Sequence, residues 1–219
     1  MRIAARRNPA AQRTEMVRRQ IRGRGISDPR VLGAMLSVPR HRFVPKGLER
    51  AAYADRALPI GRGATISQPY VVARMTSELR LERDGQRVLE VGTGSGYQAA
   101  VLAECGCEVF SVERVEELFQ STGRLLSELG YSDRVRLLHG DGSRGWPEHA
   151  PFDRILVTAA AAAVPEILFQ QAGDEAVVVA PVGGPSGQVI RVFRRSDGDW
   201  KSRDVEGVRF VPLICDPTG

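Results

Sequence analysis

An apolar strand that runs into three alternating glycines and then into a helix constrains this chain more than any other feature. In Arg87-Val-Leu-Glu-Val-Gly-Thr-Gly-Ser-Gly-Tyr97 the strand residues are Val88, Leu89 and Val91, and the glycines are Gly92, Gly94 and Gly96. The run Gln98-Ala-Ala-Val-Leu-Ala-Glu104 that follows has helical composition. Glycines at such a turn permit a tight bend and let the backbone approach a ligand closely. Nucleotide and dinucleotide folds share this arrangement, so alone it says only that a ligand crevice is possible. The spacing is not the dinucleotide one, because the third glycine comes two residues after the second instead of three.

Acidic residues sharpen the reading. Glu90 stands two residues before the first glycine, where a carboxylate aimed into the crevice would repel a pyrophosphate and suit a cationic ligand end. S-adenosylmethionine, with an ammonium, a sulfonium and no phosphate, is such a ligand. The next strand, Glu108-Val-Phe-Ser-Val112, ends at Glu113, where an acid can accept both hydroxyls of a ribose. The third, Val135-Arg-Leu-Leu-His139, ends at Gly140-Asp-Gly142, where Asp141 and the amides around Gly142 could read an adenine edge. Any one of these acids could be a turn or helix cap. Three at successive strand ends form a more specific pattern than the glycines.

Composition bounds the rest. A chain of 219 residues is long enough for one α/β domain with an appendage. It has no apolar run of membrane-spanning length and no apolar segment of secretory type near its start. Three cysteines, two of them in Cys105-Gly-Cys107, lack a second cluster to complete a zinc site, and His41, His139 and His149 show no ligand spacing, so no metal is expected. Reduced cysteines and a cytoplasmic location are the expectation. Residues 1–42 hold eleven Arg against Glu15 and Asp28, a net of +9, which leaves −4 on the remainder. Scattered without interleaved aromatics, these arginines read as a solvated helix face or as attraction for acidic protein segments. They do not read as a nucleic-acid surface. A monomer is expected.

Along the chain, residues 1–12 read as a flexible lead-in to a single domain spanning 13–219. Helical spacing covers 13–24, and Asp28-Pro29 reads as a cap with proline in the first turn of a helix over 30–38. Residues 51–63 read mostly as loop, and 70–79 as helix. Alternating β and α segments then run over 87–184, with strands at 87–91, 108–112, 135–139, 153–158 and 176–181, which implies a parallel sheet covered on both faces. Segments 188–193 and 205–213, with a turn at 196–199, read as a final antiparallel pair.

One segment, Leu58-Pro-Ile-Gly-Arg-Gly-Ala-Thr-Ile-Ser-Gln-Pro69, calls for more than folding. Its glycines, Thr65 and Ser67 would present amides and hydroxyls to a carboxylate. The competing reading makes Ser67 the N-cap of the following helix.

Thr65-Ile-Ser-Gln-Pro69, Leu89-Glu-Val-Gly-Thr-Gly-Ser-Gly-Tyr-Gln98, Gly140-Asp-Gly142 with Gly145-Trp146, Phe152-Asp153 followed by Val157-Thr-Ala-Ala160, and Phe210-Val-Pro-Leu213 together resemble the protein-L-isoaspartate (D-aspartate) O-methyltransferase family. Arg24-Gly-Ile-Ser-Asp28 and Val38-Pro-Arg-His-Arg-Phe-Val44 fit its bacterial type. The match runs in order from about Arg13 to Leu213. The Thr-Ile-Ser loop is its specific part, since other methyltransferases share only the glycine motif.

The resemblance implies an AdoMet-dependent methyltransferase α/β sandwich of Rossmann-like, doubly wound type, with N-terminal helices and a variant C-terminal strand order. It implies Ser67 as the active-site serine, a positioning donor and not a nucleophile, with Thr65 and Ile66 beside cofactor and substrate. Gly92, Thr93 and Gly94 would line the methionine end, Glu113 would hold the ribose, and Asp141 and Gly142 would meet the adenine. Phe210, Val211 and Pro212 would close over an isoaspartyl peptide. The implied activity is methyl transfer from S-adenosylmethionine to the free carboxyl of isoaspartyl residues in damaged proteins. The ester would then cyclise to a succinimide. Two departures stand out: Ala162-Ala163 replaces a Pro-Glu-like pair, and Glu175-Ala176 replaces a Gly-Gly, with Gly173-Asp174 expected to turn two residues early. Two other readings are an enzyme dedicated to one aspartate of a partner peptide, which lacks an added partner-binding domain here, and a non-catalytic AdoMet- or RNA-binding module.

Overall fold

The computed structural model describes residues 8–184 and 186–215. Its frame is a seven-stranded sheet. The strands, in chain order after a separate hairpin of β1 (Leu58–Gly61) and β2 (Ala64–Ile66), are β3 (Arg87–Val91), β4 (Glu108–Glu113), β5 (Val135–His139), β6 (Phe152–Val157), β7 (Ala172–Gly184), β8 (Gly187–Ser196) and β9 (Asp199–Val208). Their spatial order is β5-β4-β3-β6-β7-β8-β9. Strands β3 to β7 run parallel; β8 and β9 add antiparallel at the far edge. From β3 the chain steps outward through β4 and β5, then returns to place β6 on the other flank of β3. That reversal opens a crevice beyond the carboxyl ends of β3 and β6, where open α/β sheets bind ligands.

Strand parity divides the core. Val88, Val109, Leu156 and Val179 face one apolar cluster, completed by α2 (Pro29–Ser37), α3 (Pro69–Glu78) and α4 (Tyr97–Glu104). Leu89, Val91, Phe110, Ile155 and Val157 face a second, which takes in Leu168 of α6 (Glu166–Gln170). Burial of both faces explains why β3 is apolar at Val88, Leu89 and Val91 alike, with the buried Glu90 as the exception. Each such buried aliphatic side chain contributes about 1.5–3 kcal/mol. Helix α5 (Glu116–Glu128) links β4 to β5 and packs Leu126 into the first cluster.

Several boundaries differ from the sequence expectation. Helix α1 (Pro9–Met16) begins within the expected lead-in, capped by the Asn8 side chain on the Ala10 amide with Pro9 in its first turn; residues 1–7 lie outside the described residues. The helical path then passes into a π turn (Val17–Ile21) and a 3-10 turn (Arg22–Arg24). The expected loop over 51–63 contains β1 of the hairpin, whose turn uses left-handed backbone at Gly61, Arg62 and Gly63. Glycines at two of those three positions relieve the strain, but Pro59 masks the strand signal. The expected turn at Gly173-Asp174 is instead an irregularity inside β7, where pairing jumps from Phe152–Ala172 to Arg154–Val177. The last strand lies at 199–208, not 205–213. Residues 209–213 leave it to cross over the crevice. The expected antiparallel pair is β8 and β9, and it joins the sheet through antiparallel pairing of β8 with β7.

Candidate active site

The crevice at the switch point is a cavity of about 300 Å³. Its walls come from β2, the loop after β3, the ends of β4 and β6, and the segment 210–214. Thr65, Ile66, Ser67, Gly92, Thr93, Gly94, Glu113, Gly142, Val211 and Pro212, all selected from sequence, line it together.

The loop after β3 is held from both sides. The Gly92 and Thr93 amides donate to the Val112 carbonyl at 2.9 and 3.3 Å, and the Gly94 amide donates to Glu113 Oε2 at 2.7 Å. Glu113 Oε1 accepts from the Val115 amide at 2.9 Å. Thr158, at the end of β6, donates from Oγ1 toward the Val91 and Gly92 carbonyls at 2.9 and 2.6 Å. Gly92 has φ +97, and a Cβ there would sit 2.5 Å from Thr158 Oγ1; at Gly142 a Cβ would meet Val91 Cγ1 at 2.7 Å. Only glycine fits either place, so bare backbone lines the cavity at both.

This arrangement fits S-adenosylmethionine. The glycine loop offers backbone to the methionine end. Glu113 is a carboxylate with lone pairs left beyond its two amide contacts, as a ribose diol requires. The apolar lining near Gly142 includes Val91, Val112, Val115 and Leu118, suited to an adenine ring.

Two of the three strand-end acids do not point into the cavity. Glu90 shares the parity of Val88, which turns it beneath the glycine loop. It is fully buried and accepts from Ser111 Oγ at 2.5 Å, and Thr93 Oγ1 lies 2.6 Å from the same hydroxyl. Its second oxygen has no hydrogen-bond partner. Burial pushes its carboxyl up to about 8, against the Ser111 hydrogen bond and aided by the Glu113 charge. Asp141 likewise is absent from the wall. Its Oδ1 accepts from Ser143 N at 2.9 Å and Ser143 Oγ at 2.7 Å, capping the turn Gly142–Arg144. It supports Gly142, which is the residue facing the cavity. Sequence places these acids at strand ends, but parity and local capping decide where the oxygens go.

The Glu90 carboxyl gives a pH test. Its proton is held more tightly in the fold than in the unfolded chain, where the ordinary value is 4.5. Stability from this group is therefore intact below that value and lost as pH rises through about 8. The melting temperature of Glu90→Gln should match the parent below about pH 4.5, exceed it increasingly up to about pH 8 and keep a constant lead above that. A gap independent of pH would contradict a neutral buried carboxyl.

Ser67 lies between β2 and α3, half-buried, on the cavity wall. It is not the helix cap: Gln68 holds that position and makes no side-chain cap hydrogen bond. Among the described residues Ser67 Oγ has no partner, while its carbonyl accepts from Arg40 Nη2 at 2.6 Å. The segment after β9 is pinned by the Gln188 side-chain amide, which accepts from Phe210 N at 2.6 Å and donates to Phe210 O at 3.2 Å. Ala160 donates to Val211 O at 2.8 Å and accepts from Leu213 N at 2.7 Å. Sequence reasoning missed Thr158, Gln188 and Arg40, whose partners are distant main-chain atoms that no local pattern announces. Among the described residues no cluster of three or more acidic, His or Cys side chains could hold a metal ion.

The family model described as protein-L-isoaspartate(D-aspartate) O-methyltransferase matches residues 11–217. Protein-L-isoaspartate O-methyltransferase 2 of Pelobacter propionicus is 50% identical over 210 residues, covering 95% of this chain and 92% of its own. The protein-L-isoaspartate O-methyltransferase of Opitutus terrae is 52% identical over 203 residues, covering 92% and 86%. A solved protein-L-isoaspartate O-methyltransferase superimposes with a TM-score of 0.83 at 30% identity, over 91% of this chain and 65% of that one. A Plasmodium falciparum protein described as a protein-L-isoaspartate O-methyltransferase, solved with S-adenosyl-L-homocysteine, superimposes with a TM-score of 0.79 at 25% identity, over 94% and 98%. On the family match and on this identity across almost the whole length, the chain belongs to the protein-L-isoaspartate(D-aspartate) O-methyltransferase family.

Proposed function

We propose that this protein methylates the free carboxyl of isoaspartyl residues in damaged proteins, using S-adenosylmethionine, and so starts their repair. The observation that carries the reading is the unengaged Ser67 hydroxyl on the wall of the same cavity that holds the glycine loop and Glu113. When bound, S-adenosylmethionine supplies an electrophilic methyl group on a sulfonium.

The chain's own residues then have a modest task. An acceptor carboxylate ordinarily titrates at about pH 4 and is ionised at neutral pH, so no general base is required. Ser67 Oγ donates to one acceptor oxygen and leaves the other directed at the methyl carbon. With the cofactor bound, that oxygen would take the methyl group and the sulfonium would leave as a neutral thioether. Ser67 must hold the carboxylate without binding it tightly, because ground-state stabilisation would oppose transfer. Orientation of two reactants can supply up to about 7–11 kcal/mol of a barrier. Segment 210–214 and Ile66 exclude water with apolar side chains. The following backbone nitrogen then attacks the ester carbonyl carbon, the bond to the methoxy oxygen breaks, and the nitrogen's proton leaves with it as methanol while the succinimide ring closes. Hydrolysis of the ring returns some normal aspartate.

The Ser67 and Glu113 roles, with Thr65, Ile66, Gly92, Thr93, Gly94, Gly142, Val211 and Pro212 as binding wall, belong to this proposal. Glu90 and Asp141 act in it from behind the wall. We take the protein to work as a monomer in a reducing, cytoplasmic setting: Cys105, Cys107 and Cys215 are free, and no helix is long and apolar enough to cross a membrane among the described residues. Nucleic acid is not part of the proposal, since many N-terminal arginines pair within the chain, among them Arg18 with Glu15, Arg24 with Asp55, Arg30 with Asp84 and Arg42 with Glu128. Transfer of labelled methyl to an isoaspartyl peptide tests the reaction class. The label should leave as methanol in mild base, as from a carboxyl ester; a base-stable label would indicate methylation of nitrogen.

A further inference from the structure

Arg40 heads the fully buried side chains by size, with no solvent exposure. It opens the short turn Arg40–Phe43 ahead of the hairpin. Nε donates to the Ala52 carbonyl at 2.7 Å and Nη2 to the Ser67 carbonyl at 2.6 Å. The guanidinium carbon lies 4.7 Å from the centroid of the Tyr97 ring, and Tyr97 lines the cavity beside Ser67. Nη1 is buried with no hydrogen-bond partner.

The surroundings of this cation are unusual. Its geometrically sound hydrogen bonds go to main-chain carbonyls, the Tyr97 hydroxyl is a neutral polar neighbour, and among the described residues no carboxylate lies within ion-pair distance. Arg154, also buried, differs in having Asp153 and Glu82 among its electrostatic neighbours. A guanidinium keeps its proton in proteins, although burial pushes the Arg40 pKa down. A buried charge normally requires a counter-charge. The nearest functional feature is the Ser67 segment, to which it is hydrogen-bonded, and Ser67 is the group assigned above to an anionic acceptor.

We infer that Arg40 is a positioning residue for the acceptor carboxylate: it fixes the main chain of Ser67 and leaves behind the cavity wall a positive charge that the bound anion compensates. The inference rests on the proposed function. It adds a basis for selectivity at the binding step: from behind the wall the field of Arg40 favours an acceptor that is anionic before transfer and loses hold of it once the ester is neutral, so its effect belongs in KM and not in kcat. Product release to cyclise in solution then follows from the same charge that draws the substrate in.

Arg40→Met and Arg40→Lys test this with three readouts: KM and kcat for an isoaspartyl peptide, Kd for S-adenosylmethionine, and the inhibition constant of the same peptide with its free α-carboxylate converted to a carboxamide. Turnover by the parent protein establishes the reaction separately. In Arg40→Met the KM should rise tenfold or more, while the S-adenosylmethionine Kd and the carboxamide inhibition constant stay within about threefold. Arg40→Lys should recover most of the lost KM. Equal weakening of carboxylate and carboxamide peptides would overturn the inference in favour of a scaffold role, as would a lysine variant no better than methionine. Should Arg40→Met fail to fold, the parent protein still decides: it should bind the carboxylate peptide at least tenfold more tightly than the carboxamide, and equal affinity would overturn the inference.

Discussion

Ser67→Ala should lower turnover on an isoaspartyl peptide by tenfold or more while leaving the fold and the affinity for S-adenosylmethionine almost unchanged. The hydroxyl has no partner among the described residues, so its removal breaks no internal hydrogen bond. The cap of α3 is Gln68, and the main-chain contact from Arg40 survives the substitution. A surface-type change of this kind shifts stability by no more than about 0.5 kcal/mol, which for a domain of this size is a melting shift under about 2 °C. A tenfold loss of rate corresponds to about 1.4 kcal/mol of transition-state stabilisation, a modest demand on one orienting hydrogen bond. Melting curves and initial rates on one preparation check both halves. A variant of ordinary activity, stable or not, would remove Ser67 from the mechanism.

Glu113→Ala should have the larger effect on the cofactor. The carboxylate holds the Gly94 amide at 2.7 Å and the Val115 amide at 2.9 Å, and it lines the cavity. Its loss removes the acceptor for a ribose diol and loosens the glycine loop that forms the neighbouring wall. Hydrogen bonds to a charged group contribute roughly 1.5–3 kcal/mol each, so S-adenosylmethionine affinity should fall roughly a hundredfold or more. Asp141→Ala should weaken it less, since Asp141 acts through the turn that presents Gly142. Calorimetry on the two variants separates the roles. An unchanged Kd for Glu113→Ala would remove this acid from the cofactor site, both as acceptor and as brace.

The parallel half of the sheet was legible because physics acts locally there. β3 and β5 lie at their expected residues, and β4 extends one residue further: β3 and β4 are buried on both faces, and β5, though at the sheet edge, is still a short apolar run between turns. The glycine loop was legible for a different reason: Gly92 and Gly142 stand where a side chain would collide. What sequence did not convey was direction. Glu90 and Glu113 face the same side of the sheet, yet Glu90 lies within β3, buried under the loop against Ser111, while Glu113 stands beyond the last β3–β4 pair and reaches the Gly94 amide on the cavity wall. Asp141 looked like a ligand group and is a turn cap. The hairpin of β1 and β2 was obscured by Pro59 and by glycines that read as loop. The edge strand β9 begins six residues earlier than expected, because Lys201, Ser202, Arg203 and Asp204 pair with β8 at polar, exposed positions, and Trp200, packed against the second apolar cluster, is alone too little apolar signal to mark a strand. Arg40 was silent for the plainest reason. Its partners are carbonyls 12 and 27 residues away, and carbonyls carry no residue identity.

The most direct measurement compares two peptides of one sequence, differing only in whether one aspartyl residue is linked through its side-chain carboxyl. With labelled S-adenosylmethionine, the isoaspartyl peptide should accept a methyl group at a readily measured rate, and its aspartyl twin should stay near background. Equal rates on the two isomers, or no transfer to either, would contradict the account.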